Sequence, residues 1–312
     1  MQTLVIATRS SPLALWQANF VADSLQRVGF QTRIQALETI GDKKLEVSLS
    51  KIGEKGVFTQ ELEQLLIRGE AHLAVHSAKD MPSKLPEELE ILAFTERENP
   101  IDVLVSPNQA ANINQPLRIG TSSTRRVAIL KRYFPHIETV TVRGNLQTRF
   151  RKMEEGHCDA LLLAFAGVNR MGFSESITQE LDPKIFTPAV GQGSLAIEVG
   201  SGLSTDLKIA IRAALNHEET NLDILAERAF LRVMDGGCSV PVFGYSRIKG
   251  VRRILSGGIV SLDGLEEIRF EGATEDIHSE SAAIDLGVGV AREILLRGGD
   301  AILSKIKQNL RH

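Results

Sequence analysis

The chain predicts an α/β fold: two similar domains facing a cleft, followed by a smaller α+β domain. Three observations predict it. Short apolar runs alternate with amphipathic segments through the first third of the chain, as a mostly parallel sheet with crossover helices requires. The middle third repeats that plan. Two polar, Pro- or Gly-containing links, Thr95–Pro100 and Thr187–Gly193, then cross between the halves, as expected of a hinge.

The elements follow in order. Residues 4–8 read as a buried strand, and Ser11-Pro12 opens a helix with Leu15, Ala18, Phe20, Val21 and Leu25 on one side, ending near Gly29. A second strand is expected from Thr32 to Glu38. Residues 42–56 carry glycines and lysines with few apolar anchors and read as a mobile lid. Phe58, Leu62, Leu65 and Leu66 mark a helix ended by Gly69, and His72–His76 is a short buried strand. Ile119-Gly120-Thr121-Ser122-Ser123 echoes the first strand and helix start, and Gly156–Ala164 echoes Gly69–Val75. Helices are expected over 206–215 and 222–233, strands near 240–247, 251–262 and 266–274, and a final helix using Ile284, Val288, Ala291, Ile294 and Leu295.

Composition narrows the function. The 312 residues are 43% apolar and 24% charged, with a net charge of −3. That is an ordinary globular balance, and a nucleic-acid protein would more often be basic. With two Tyr and one Trp, the chain is also poor in platforms for base stacking. No stretch approaches a membrane span, and no secretory signal leads the chain, so the cytosol is the expected location. Two cysteines make neither a disulfide framework nor a metal cluster.

Against this mildly acidic body stand six arginines expected at strand ends: Arg9, Arg125, Arg126, Arg143, Arg149 and Arg170. Each lies in or beside Gly, Ser, Thr or Asn. Such residues expose backbone N–H groups, and a guanidinium fork grips a carboxylate with two bonds. The pattern suits a small ligand bearing several negative charges.

Two further constellations could do chemistry. Asp80, in His76-Ser77-Ala78-Lys79-Asp80-Met81-Pro82, closes a strand end on a turn constrained by Pro82. A surface ion pair with Lys79 is the plainer reading, but a carboxylate among arginines is the group able to stabilise a cation there. Cys238 follows Gly236-Gly237 on an exposed turn and is a candidate nucleophile or attachment point, whereas Cys158 falls in an apolar strand and reads as core. Lys51–Phe58 lacks the spacing of a phosphate-binding loop.

Taken together, these segments resemble the porphobilinogen deaminase (hydroxymethylbilane synthase) family, most densely in Ile6–Gln17, Lys51–Leu62, Val75–Pro82, Ile119–Arg149, Thr187–Gly193 and the Gly-Gly-Cys turn. The resemblance implies two periplasmic-binding-protein-like α/β domains, 1–96 with 193–215 and 97–192, and a third domain, 216–312. It implies four successive head-to-tail condensations of porphobilinogen with loss of ammonia, onto a dipyrromethane cofactor held by a thioether at Cys238. Hydrolysis would then release the linear tetrapyrrole. Asp80 would be the catalytic residue. Arg9, Ser11, Lys51, Lys55, Phe58, Ser77, Lys79, Thr121, Ser122, Ser123, Arg125, Arg126, Arg143, Gly144, Arg149, Arg170 and Gln192 would bind cofactor and substrate. No metal, membrane or nucleic acid is expected, and a monomer is. Asp235, Thr124 and Asn169 depart from residues common in the family. Porphobilinogen carries an acetate and a propionate, so the growing chain gains two carboxylates per ring, matching the arginines. Loss of its amino group leaves an azafulvene cation that Asp80 would stabilise. The rival reading is a two-domain binding module for an organic anion, which would need neither Cys238 nor Asp80.

Overall fold

In the computed structural model, residues 3–39, 59–107, 111–237 and 239–311 are described. The first strand, β1 (Thr3–Arg9), buries Leu4 to Thr8 on both faces, as a central strand does. Helix α1 (Pro12–Arg27) starts where Ser11 Oγ accepts the Ala14 N–H at 3.4 Å, and Pro12 has no N–H to satisfy there. Its face of Ala18, Val21, Ala22 and Leu25 packs on the sheet, and Gly29 turns the chain at φ 94°.

The first sheet adds β2 (Gln31–Leu37), β3 (Leu73–Ser77), β4 (Leu89–Phe94) and β10 (Leu195–Gly200), in the order β2-β1-β3-β10-β4, with α2 (Gln60–Ile67) and α6 (Thr205–Leu215) packed on it. The second contains β5 (Asp102–Val105), β6 (Arg118–Gly120), β7 (Glu138–Val140), β8 (Ala160–Ala164) and β9 (Ile177–Glu180), in the order β7-β6-β8-β5-β9. The orders correspond strand for strand, with β6 in the place of β1 and β8 in the place of β3. This is the duplication expected from the Ile6 and Ile119 segments.

The expected mostly parallel sheet needs refinement. β1 pairs in parallel with β2 and β3, but β10 is antiparallel to β3 and to β4. In the second sheet β5 is likewise antiparallel to β8 and β9. The physical reason is exchange between the halves. Each sheet receives one strand along a chain crossing, and a strand arriving without a crossover helix enters in the opposite sense.

A three-stranded antiparallel sheet, β11 (Val242–Lys249), β12 (Arg252–Val260) and β13 (Glu267–Thr274), follows. It packs with α7 (Glu218–Val233) and α8 (Glu280–Ile294) around Phe230, Leu255, Val290 and Ile294. A last helix, α9 (Asp300–Arg311), was not expected from the apolar pattern; Ile302, Leu303 and Ile306 add it to this core. Phe243 and Val260 reach the core of the second sheet beside Leu104 and Phe186. Among the described residues, no helix is long and apolar enough to cross a membrane.

Candidate active site

β3 ends at Ser77, and residues 78–80 make one 3₁₀ turn that leaves Asp80 exposed and Lys79 half-buried. Met81 is extended (φ −73°, ψ 133°), as Pro82 demands. The second crossing lies against this turn. Ala78 N donates to Ser194 O at 3.0 Å, and a Cβ on Gly191 (φ +74°) would meet the Ala78 carbonyl carbon at 2.9 Å.

The arginines are less uniform than the sequence suggested. Arg9 ends β1 and Arg143 follows β7, but Arg125 and Arg126 lie in the first turn of α3 (Thr124–Tyr133), inside the fold. Arg149 lies within α4 (Leu146–Glu154), and Arg170 ends α5 (Phe165–Arg170). Four of the six are therefore helical, because Ser123, Asn145 and the end of β8 start helices directly before them. Ser123 Oγ accepts the Arg126 N–H at 3.4 Å, and Asn145 Oδ1 accepts the Thr148 N–H at 2.9 Å.

Arg125 and Arg126 share one partner, Asp102. Its two oxygens accept from Arg125 Nη2 at 2.7 Å and Arg126 Nη2 at 2.8 Å. Arg125 Nη1 donates to Thr187 O at 2.8 Å and Arg126 Nη1 to Leu162 O at 2.9 Å. Gln192 Nε2 donates to Asp102 Oδ1 at 2.9 Å, and Gln192 Oε1 lies 3.4 Å from Lys79 Nζ. A chain of contacts thus runs from the Asp80 turn, through the crossing, to the arginine pair. Burial would raise the Asp102 carboxyl, but Arg125 and Arg126 outweigh it and hold the group below the usual carboxylate range.

The electrostatics show which charges converge. Burial, then Arg126, push the Lys79 ammonium down to about 8, with Asp80 pulling the other way. Burial and Arg126 likewise push Arg149 down to about 10; Arg143 adds to this and Asp80 opposes it. Lys79, Asp80, Arg126, Arg143 and Arg149 therefore share one field. Arg149 is aimed by its own loop: its Nε donates at 2.8 Å to the carbonyl of Gly144, whose φ of +118° favours glycine.

The small polar residues support this frame. Thr121 is buried, with its N–H on Val140 O, and Ser122 Oγ donates to Val142 O at 2.8 Å. Thr121, Ser122 and Arg143 also line a cavity of about 280 Å³ that reaches Lys131 and Leu262. Arg170 stands apart: its Nη2 donates to Gly193 O at 2.6 Å, and its ring-facing contact is Trp16. Ser11 serves as the α1 cap. Lys51, Lys55, Phe58, Cys238 and the expected lid at 42–56 lie outside the described residues. Cys158 lies two residues before β8 and not in the strand that the sequence implied, because the strand starts only at Ala160; it is buried in the core as expected.

Two residues escaped the sequence reading. Asp102 is a charge inside the apolar run Ile101–Val105, a placement that requires a buried partner. Gln17 sits on the apolar stripe of α1, is buried, and donates from Nε2 to Ser77 Oγ at 2.9 Å, beside the Asp80 turn. Both signals were available: a polar group at a position whose period assigns it to the core.

Two family models match the chain: "Porphobilinogen deaminase, dipyromethane cofactor binding domain" over residues 4–207 and "Porphobilinogen deaminase, C-terminal domain" over residues 221–296. The chain belongs to the porphobilinogen deaminase family. The porphobilinogen deaminase of Desulfosudis oleivorans is 47% identical over 306 residues, covering 97% of both chains. That of Cytophaga hutchinsonii is 49% identical over 315 residues, covering 99% of this chain and 98% of its own. Among solved structures, the periplasmic VFT2 domain of Bordetella pertussis BvgS aligns over 68% of this chain and 86% of its own, at 19% identity and a TM-score of 0.41. The first of the two family models spans both five-stranded sheets.

Proposed function

We propose that this chain is a porphobilinogen deaminase that condenses porphobilinogen units into a linear tetrapyrrole, working in the cytosol as a monomer. In this reading the chain divides into 1–96 with 193–215, 97–192 and 216–312. The observation that carries the reading is one exposed carboxylate, Asp80, in a field set by Lys79, Arg126, Arg143 and Arg149.

The donor set fits a dipyrromethane. Asp102 already neutralises much of Arg125 and Arg126, while Arg126 Nε is buried without a hydrogen-bond partner. Lys79, Arg143, Arg149 and that orphaned N–H suit a group rich in carboxylates, and Asp80 suits its pyrrole N–H groups. When bound, through Cys238, the cofactor supplies the terminal pyrrole carbon that the first substrate unit joins.

The chain's own residues then do three things. Arg143 and Arg149 hold substrate carboxylates and so fix the orientation of the ring, which makes the bimolecular condensation effectively intramolecular. Lys79, an ammonium below about pH 8, adds a point charge to that grip. Asp80 offsets the positive charge that develops when ammonia leaves the substrate, which the neighbouring guanidinium groups would otherwise oppose.

The test is direct. Incubation with porphobilinogen should release ammonia and build a mass ladder on the protein in steps of one condensed pyrrole unit. Reversible binding without ammonia or covalent mass would favour the anion-binding module instead.

A further inference from the structure

Trp16 and Phe20 stand out as large aromatic rings that the fold leaves 37% and 43% exposed. One helical turn apart on α1, they stack at 5.7 Å with an interplanar angle of 9°. α1 belongs to the first sheet, yet what lies over the indole comes from the second: the Arg170 guanidinium is 5.5 Å from the ring centroid.

The contact is a paired register between two helices. Leu13 and Trp16 on α1 are three residues apart, as are Gly167 and Arg170 on α5. A Cβ on Gly167 would stand 3.8 Å from Leu13 Cδ2, so the helices meet first at Gly167 and then, one turn on, at Arg170. Behind the guanidinium is the crossing itself. Gly193 O accepts from Arg170 Nη2 at 2.6 Å and from Glu98 N at 3.1 Å. Gly193 has φ +100°, and a Cβ there would lie 2.3 Å from Glu98 O, so this part of the crossing has little freedom to shift.

We propose that Trp16 is a positioning residue for Arg170, holding the guanidinium by its face so that its free edge meets a substrate carboxylate. This rests on the deaminase reading above. A guanidinium held face-on by an aromatic ring keeps its in-plane N–H groups for other acceptors, and it is less hydrated than an ammonium. With Nη2 on Gly193 O and the guanidinium carbon over the indole at 5.5 Å, the group is held from two sides. Phe20, stacked on the indole at 5.7 Å, restrains the ring from turning away. Because ring and guanidinium belong to different halves, the grip also depends on how those halves meet.

Indole emission provides the readout, since Trp16 is the chain's single tryptophan. The experiment uses the cofactor-loaded, full-length protein and porphobilinogen. Wild-type emission should change with porphobilinogen concentration, and the change should disappear in Arg170→Met. Trp16→Leu keeps an apolar side chain but loses the ring. It should raise KM about three- to tenfold with kcat little changed, the signature of lost uniform binding at the strength of a cation–π contact. Trp16→Phe should restore most of the affinity. In the Arg170→Met background, Trp16→Leu should add nothing, because the two act through one contact.

An unchanged KM in Trp16→Leu, or full additivity of the two substitutions, would overturn the proposal. So would an emission response that survives Arg170→Met, a result that stands even if Trp16→Leu fails to fold. A wild-type protein that releases no ammonia would instead overturn the deaminase reading, so the two failures are told apart.

Discussion

Asp102 accepts from Arg126 Nη2 at 2.8 Å while its other oxygen holds Arg125 Nη2 at 2.7 Å, so one buried carboxylate organises two of the six arginines. In the proposed reading the set thereby divides into arginines that build the site and arginines that would meet a ligand.

That division predicts two kinds of mutant. Asp102→Ala leaves two guanidinium groups in the interior without their counter-charge and should cost about 3–5 kcal/mol, read as a fall in the denaturant midpoint. Arg143→Leu and Arg149→Leu should fold with near-normal midpoints and fail in turnover, stalling at different lengths of covalent intermediate seen by mass. Equal stability losses across Asp102, Arg143 and Arg149 variants would contradict the division.

Gln192 links Lys79 to Asp102, and its amide donates to Asp102 Oδ1 at 2.9 Å and to Pro100 O at 2.5 Å. Gln192→Glu is nearly isosteric but puts acceptor against acceptor. It should lose about 1–3 kcal/mol, the usual cost of leaving buried polar groups unpaired, and Gln192→Met should lose less than Gln192→Glu. Chemical denaturation of both variants checks the order.

Lys79 gives a pH dependence whose sign follows from its depressed pKa. Its folded value is about 8 against an ordinary 10.5, so between those limits the unfolded chain holds a proton that the folded chain has lost. Stability from this group therefore rises with pH across that window, while its charge, and with it the grip on carboxylates, is lost as pH passes through about 8. Porphobilinogen affinity should fall above pH 8 in the wild type. In Lys79→Met this step should be missing, and stability at pH 7 should not decrease.

Much of this arrangement was legible in the sequence, for identifiable reasons. The Ile6 and Ile119 segments each show a buried strand feeding a polar helix start, and they fold into equivalent places in their sheets. The antiparallel entry of β10 and β5 was not legible, because Leu195–Gly200 and Asp102–Val105 are apolar runs whose direction depends on how the crossings bring them in. Asp80, Lys79, Arg143 and Arg149 were legible as a group from their neighbours in sequence. The capture of Arg125 and Arg126 by Asp102 was not, since it depends on pairing across strands distant in the chain. Asp235 shows the same limit. It adopts φ 45° before the Gly-Gly pair and takes Lys307 Nζ of α9 at 2.5 Å, a partner 72 residues away.

The tether makes a separate prediction. Cys158 is buried among Val142, Phe150 and Leu161, and burial raises its thiol, so it is a poor nucleophile. Cys158→Ser should keep the dipyrromethane adduct in an intact-mass spectrum, and Cys238→Ser should lose it. An adduct that persists in Cys238→Ser would place the tether elsewhere.

The central claim is that Asp80 acts on the charge that develops as ammonia leaves and does not merely bind the substrate. Its decisive measurement is single-turnover release of ammonia from cofactor-loaded Asp80→Asn, which keeps size and hydrogen-bonding capacity but removes the charge. The account predicts a folded protein that takes up porphobilinogen and releases ammonia about 10² to 10³ times more slowly, the scale of such electrostatic groups, with Asp80→Glu in between. Ammonia release at the wild-type rate, with only affinity reduced, would contradict it.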